Sequence, residues 1–196
     1  MYIEDPRCLR CGIAFEGVGP SHLCGECLTA PPPFERAAAA FRYGGAAKDA
    51  VLRLKYGRVY WIGSSLGRKL ALTAEQLKPI DVVIPIPLHP KRLRARGFNQ
   101  SALIAKPVAR ALGCPMETRL LHRVRDTVPQ AGLAKPARAQ NIRGAFLVQR
   151  PHRVRQMRVV LVDDVITTGE TMKEAARVLL EAGAVSVVAL AAARAC

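Results

Sequence analysis

Val159-Val160-Leu161-Val162-Asp163-Asp164-Val165-Ile166-Thr167-Thr168-Gly169-Glu170-Thr171-Met172 decides the reading of this 196-residue chain. Its apolar start reads as a buried strand from Arg158 to Val162. Asp163 to Gly169 is then a turn, and the pattern becomes helical from about Glu170 to Glu181, with Gly183 closing it. A second apolar run, Val185 to Ala191, completes a βαβ unit with a right-handed crossover and parallel strands. In such a unit the carboxyl end of the first strand faces the ligand crevice. There the sequence puts two carboxylates, Asp163 and Asp164, followed by the hydroxyls of Thr167, Thr168 and Thr171 around Gly169. A helix start offers unpaired N–H groups and a positive dipole end, which together bind phosphate without a lysine. Gly169 lets the backbone approach the anion. The acids, one turn away, are placed to accept hydrogen bonds from vicinal ribose hydroxyls, so one site would hold both ends of a ribose 5-phosphate. Helix capping is the plainer role for Asp and Thr, but two adjacent acids ending a buried strand are a costly cap.

These fourteen positions resemble, nearly residue for residue, the motif by which type I phosphoribosyltransferases bind phosphoribosyl pyrophosphate (PRPP). In that motif four apolar residues precede two acids, two apolar residues and a Thr-Thr/Ala-Gly-x-Thr turn. The resemblance implies an α/β fold with a parallel sheet flanked by helices. It implies Asp163 and Asp164 as catalytic groups and Val165, Thr167, Thr168, Gly169, Glu170 and Thr171 as the PRPP-holding turn. The implied reaction displaces pyrophosphate from the anomeric carbon through an oxocarbenium-like state, with Mg²⁺ bridging pyrophosphate and ribose oxygens. Mg²⁺ takes only one or two carboxylates besides ligand oxygens, and the acids would stabilise the positive charge developing on the ribose.

Working outward, Asp81-Val82-Val83-Ile84-Pro85-Ile86-Pro87 reads as another buried parallel strand. A basic loop with Lys91, Arg92, Arg94 and Arg96 follows, then a helix from about Asn99 that Pro107 should kink or shorten. Leu120-Leu121 reads as a brief strand and His122 to Arg143 as a long loop. Upstream, Phe34 to Tyr43 is an extended candidate, Ala46 to Tyr56 a short helix, and Ile62 to Leu77 a second helix stopped by Pro79. The strand at Asp81 occupies the place of a phosphoribosyltransferase pyrophosphate loop, yet a longer run, Pro85 to Gln100, stands there. Its Arg92 and Arg96 are candidate anion contacts, because guanidinium forks match phosphate oxygens. The plain alternative is a solvated basic loop.

That run, with Leu54-Lys55-Tyr56-Gly57, Arg123-x-Arg125-x-Thr127-x-x-Gln130 and Arg138-x-x-Asn141-x-x-Gly144-Ala145-Phe146, is similar to the ComF family, also called ComFC or GntX-like. The resemblance covers the whole chain. It implies a bacterial PRPP-binding protein of DNA uptake in natural competence, one that is regulated by the ligand or transfers phosphoribose to an unidentified acceptor. Single-stranded DNA and a DNA-uptake helicase are the partners it implies.

The formal charge of +15 fits polyanionic partners, and charge alone does not separate a pyrophosphate from a nucleic-acid backbone. A nucleobase-salvage phosphoribosyltransferase is the second reading. It needs a base pocket, for which Phe98, Phe146, Trp61, Tyr56 and Tyr60 are the available aromatics. A non-catalytic single-stranded DNA binder is the third, with few stacking platforms at 5% aromatic content. No apolar run reaches the roughly 18–20 residues of a membrane helix, and the N-terminus lacks the apolar core of a secretory signal. A cytoplasmic protein without membrane insertion is expected.

Residues 1–33 stand apart, rich in Cys, Gly and Pro and ending on Pro31-Pro32-Pro33. Cys8-x-x-Cys11, twelve residues, then Cys24-x-x-Cys27 is a spacing that closes a tetrahedral thiolate site around structural Zn²⁺. Two disulfides are disfavoured in a reducing compartment. His22 is near enough to compete, but four cysteines complete the set. Cys114 and Cys196 lack partners by spacing. The expected division is therefore a zinc ribbon at 1–33 and a phosphoribosyltransferase-like domain at 34–196. A segment as small as the ribbon takes its folding free energy from the metal.

Overall fold

The computed structural model describes residues 6–74, 77, 79–128 and 135–195. In chain order the first elements are α1 (Gly25–Thr29), β1 (Arg36–Arg42), α2 (Gly45–Tyr56), α3 (Trp61–Ala74), β2 (Val82–Pro85), α4 (Pro90–Arg96) and α5 (Gln100–Leu112). They are followed by β3 (Leu121–Arg123), α6 (Lys135–Ile142), β4 (Phe146–Val148), β5 (Arg158–Ile166), α7 (Glu170–Glu181) and β6 (Ser186–Arg194). The main sheet is parallel throughout, in the order β1-β6-β5-β2, and β3 pairs antiparallel with β4 beside it. This is the type I phosphoribosyltransferase-like architecture, a parallel sheet flanked by helices.

Val159, Val160, Leu161 and Val162 have no exposed surface, which is why the run is apolar without alternation. Successive side chains still point to opposite faces. Val159 and Leu161 join Phe34, Phe146, Met172 and Leu179 on the side of α7 and the β3–β4 hairpin. Val160 and Val162 join Val51, Leu54, Leu70 and Ile104 on the side of α2, α3 and α5. Burying each such side chain is worth roughly 1.5–3 kcal/mol, so this central strand carries much of the stability.

The structure departs from the sequence expectations in four places. First, β5 does not end at Val162 but runs through both acids to Ile166. β6 goes on pairing beside it, with Asp163 opposite Ala191 and Ile166 opposite Arg194. On the other side β2 stops at Pro85 opposite Val162, and Ile86 N–H still reaches the Val162 carbonyl at 2.8 Å before the chain leaves. The acids therefore sit where the sheet opens. Second, the expected basic loop contains helix α4, with Pro90 in its first turn and Gly97 at its end, a start and stop that local chemistry favours. The His89 imidazole Nδ1 accepts the Lys91 N–H at 3.3 Å.

Third, Pro107 does not shorten α5, which runs on to Leu112. A proline inside a helix costs about 3 kcal/mol. Burial of Ile104, Val108 and Leu112 exceeds that, and the ring packs against α3 at Gly67. Fourth, the expected loop from His122 to Arg143 begins in β3 and ends in α6. Gln130, the side chain of Arg138 and Cys196 lie outside the described residues. No helix among the described residues is long and apolar enough to cross a membrane.

Candidate functional site

Where β2 leaves the sheet, a crevice of about 330 Å³ opens above the carboxyl end of β5. Asp163, Asp164 and Val165 come from β5, and Thr167 and Thr171 from the turn and first residues of α7. Arg92 and Arg96 reach in from α4, Gln100 from α5, Arg123 from β3, and Lys55 and Tyr56 from the end of α2. Gly169, at a left-handed φ of +83°, turns the strand into the helix, a conformation in which a side chain would be strained. The intrahelical ladder of α7 begins with Lys173 N–H to the Gly169 carbonyl at 2.8 Å. The amides ahead of that bond form the anion-attracting end of the helix.

The two acids are held differently. Asp163 Oδ1 accepts the Ser101 hydroxyl at 2.8 Å and the Asp164 N–H at 2.8 Å. Burial pushes its carboxyl up to about 7, and the neighbouring Asp164 charge adds to that effect. Asp164 Oδ1 accepts the Val165 N–H at 3.0 Å, and its Oδ2 stands 2.5 Å from Lys55 Nζ. Burial opposes the charge on Lys55, but the Asp164 carboxylate outweighs it and holds the lysine above its ordinary pKa.

The arginines are tied down as well. Arg92 donates to the Thr127 carbonyl and lies 3.6 Å from Asp126 Oδ1. Arg96 donates to Gln100 Oε1 at 2.5 Å, with its guanidinium 5.5 Å from the centre of the Tyr56 ring. Arg123 donates to the Thr127 hydroxyl above the Phe146 ring. Burial and the nearby Arg92 charge lower its pKa. The crevice is thus a set of oriented cations around a partly neutralised acid pair.

At the other end of the chain, Cys8, Cys11, Cys24 and Cys27 place their sulfurs within 4.8 Å of one another. A tetrahedral zinc with Zn–S of ~2.3 Å requires sulfurs ~3.8 Å apart. Cys11 Sγ and Cys24 Sγ are 3.8 Å apart. The Cys11 and Cys24 N–H groups donate to Cys8 Sγ at 3.4 Å and 3.3 Å. Burial raises the Cys8 thiol, but these amides prevail and lower it to about 6. Burial and the crowded sulfurs push Cys27 up, a repulsion that a bound cation relieves. The donor set fits Zn²⁺. His22 is no competitor, since it is exposed, stacks on Phe15 and has its Nδ1 3.2 Å from the Pro20 carbonyl.

Residues 99–196 match the phosphoribosyl transferase domain family. A DNA utilization protein YhgH from Salmonella typhimurium is 37% identical over 186 residues, covering 92% of this chain and 80% of that protein. Competence protein F from Haemophilus influenzae is 33% identical over 185 residues, covering 91% of this chain and 80% of that protein. The chain belongs to the ComF family and carries a phosphoribosyltransferase domain. Competence protein ComFC from Bacillus subtilis is 29% identical over 145 residues, 73% of this chain and 57% of that protein.

Not every residue expected at the site of this ComF-family chain faces the crevice. Asp163, Asp164, Val165, Thr167, Thr171, Arg92 and Arg96 line it. Thr168 and Gly169 instead border a small cavity shared with Cys11, Cys27 and Arg194, so the back of the turn Thr167 to Thr171 faces the cysteine module. Glu170 points to a separate groove beside α6 and pairs with Lys173 Nζ at 2.8 Å. Conversely, the sequence assigns no site role to Lys55, Gln100, Ser101 or Tyr43, whereas Arg123 opens an arginine-bearing segment, Arg123 to Asn141, that is expected around the anion crevice. Lys55 and Arg123 lie within the family-like segments quoted above, but no local pattern says that a helix residue 109 positions before Asp164 pairs with it. Of the aromatics considered for a base pocket, Tyr56 alone lines the crevice. Phe98 packs edge-on against Tyr60, and Phe146 lies under Arg123.

Proposed function

We propose that the crevice binds PRPP, with Asp163 and Asp164 on the ribose hydroxyls and the turn Thr167 to Thr171 on the 5-phosphate. Arg92 and Arg96 then face the pyrophosphate. The observation that carries this reading is convergence: the acid pair and the turn of one segment meet Arg92 and Arg96 of α4 and Lys55 of α2 in one crevice. Zn²⁺ on Cys8, Cys11, Cys24 and Cys27 is structural in this reading, and it holds residues 1–33 as a ribbon against the domain of residues 34–196. The acid pair does not fit a seat for Mg²⁺, because Lys55 already stands on Asp164 and Asp163 Oδ1 accepts two hydrogen bonds. Any magnesium has to come with the ligand's own oxygens.

The names of the relatives, a DNA utilization protein and a competence protein, support a role in the use or uptake of DNA. In this reading the protein acts in the cytoplasm, with single-stranded DNA and a DNA-uptake helicase as its partners. Its acceptor, if phosphoribose is transferred, is unidentified. A nucleobase-salvage enzyme has less support, since Tyr43 and Tyr56 are the only aromatics at the crevice among the described residues. Calorimetry with PRPP, followed by a pyrophosphate-release assay with candidate bases and nucleotides, tests the reading. PRPP should bind saturably at one site per chain, and absence of binding with and without Mg²⁺ contradicts it. Any DNA binding should weaken steeply with salt, as counterion release requires.

A further inference from the structure

Lys55 reaches the acid pair from outside the segment that matches the phosphoribosyl transferase family, which begins at residue 99. It belongs to the last turn of α2, which Val51 and Leu54, both fully buried, fix against the core. The ammonium has three donors, and among the described residues Asp164 is its only ion-pair partner. It lines the crevice, and the charge of Arg96 is close enough to act against its protonation. Lys55 therefore stands between the acids and the basic helix α4. If the 5-phosphate lies on the turn and the ribose on the acids, the substituent on C1 of the ribose extends to this place. The neighbouring arginines already donate to Thr127 and Gln100, whereas Lys55 has donors to spare.

We propose that Lys55 is a specificity-determining residue of this site: anchored on Asp164, its ammonium recognises the anion on C1 of the ribose and takes the place of a divalent cation there. The inference rests on the PRPP reading given above. Two charges are involved. The lysine neutralises Asp164, which would otherwise repel a pyrophosphate, and it supplies a positive charge on the anomeric side. PRPP recognition should then be largely independent of magnesium. Ribose 5-phosphate, with no anion on C1, should be almost indifferent to the lysine.

The test is titration calorimetry of the full zinc-loaded chain with PRPP and with ribose 5-phosphate, in magnesium-free buffer and in buffer containing Mg²⁺. The wild type should bind PRPP without magnesium within about threefold of its affinity with it. Lys55→Gln should lose at least about tenfold for PRPP without magnesium, regain most of that with Mg²⁺, and change by less than about threefold for ribose 5-phosphate. If the single variant fails to fold because Asp164 is left bare, Lys55→Gln in an Asp164→Asn background leaves no unpaired buried charge. That double variant, compared with Asp164→Asn alone, should show the same selective loss. Equal losses for both ligands would reduce Lys55 to a structural clip and overturn the proposal. Tighter binding by Lys55→Gln would make the lysine a plug, and a wild type that binds PRPP only with Mg²⁺ would remove its stand-in role. A wild type that binds neither ligand in either buffer would overturn the PRPP reading itself, and this inference with it.

Discussion

The cysteine module and the central sheet are ordered by different forces, although they touch. In the sheet, β5 is held by apolar burial on both faces, with no exposed surface from Val159 to Val162. In residues 6–33 the buried residues are few, chiefly Cys8 and Cys27, and the backbone is organised around sulfur. The module leans on the sheet at definite points. Arg10 offers its carbonyl to Ala37 N–H at 2.6 Å, on the outer side of β1. Gly12, at a φ of +70°, passes so close that a Cβ there would meet the Ala37 carbonyl at 2.5 Å. Lys173 ties Glu26 of α1 to the start of α7 at 3.0 Å. The difference teaches which perturbation each region should feel: metal removal for a module whose four thiolates fit zinc, and core truncation for the sheet. The turn Thr167 to Thr171 borders both.

Removing the metal separates the regions most sharply. A structural zinc site contributes on the order of 10–16 kcal/mol to its own segment, so Cys8→Ser or stripping the zinc should unfold residues 6–33. Elemental analysis should give one zinc per wild-type chain and much less in the variant. Limited proteolysis should then cut the N-terminal segment first while the sheet persists. A metal-free chain with a folded N-terminus contradicts the assignment. A core truncation has the opposite pattern. Leu161→Ala should lower global stability by about 2–5 kcal/mol in denaturant titration while zinc content stays at one per chain. If zinc were lost as well, the regions would fold as one unit.

A smaller effect belongs to the acid pair. Folding raises Asp163 from 3.8 to about 7, chiefly through burial and then through the Asp164 charge, against the favourable Ser101 hydroxyl and Lys55. The folded state therefore holds this proton more tightly than the unfolded chain. Its contribution is full below pH 3.8 and is lost as pH rises through about 7. Denaturant titrations from pH 4 to 8 should show a falling component in the wild type that Asp163→Asn lacks. Identical pH profiles would mean that the carboxyl is ionised throughout. Smallest of all is the link between the regions. Lys173→Ala removes pairs with partly exposed Glu26 and Glu170 and should cost no more than about 1 kcal/mol. A larger loss in thermal unfolding would show that the module and α7 are coupled through that lysine.

What was legible in the sequence follows the same division. The motif at Val159 to Met172 and the four cysteines are local patterns, and local chemistry specifies them: an apolar run, a helix start, a thiolate spacing. The end of β5 was not legible, because two carboxylates look like a strand terminus until β6 is known to continue beside them. Helix α4 was hidden by its charge, although Pro90 and Gly97 marked its limits. Lys55 and Arg123 reach the crevice through the packing of α2 and β3, which no short window of sequence records. Thr168 looked equivalent to Thr167, but a one-residue difference in a turn sends the two side chains to different cavities.

The central claim, that the acid pair and the turn hold a ribose 5-phosphate, is tested most directly by Asp163→Asn combined with Asp164→Asn. At pH 8, above the value of about 7 to which Asp163 is raised, the double variant keeps the shape of both side chains and removes two carboxylate acceptors, each charge-assisted hydrogen bond being worth ~1.5–3 kcal/mol. Freeing Lys55 from Asp164 strengthens the anion end of the crevice and offsets part of the loss for PRPP. Ribose 5-phosphate, which has no anion on C1, reports the acids alone. Its affinity, measured by calorimetry on correctly folded, zinc-loaded protein, should fall by at least roughly tenfold, since ~1.4 kcal/mol already gives that factor. Unchanged affinity in the folded double variant would place the ribose elsewhere and contradict the account.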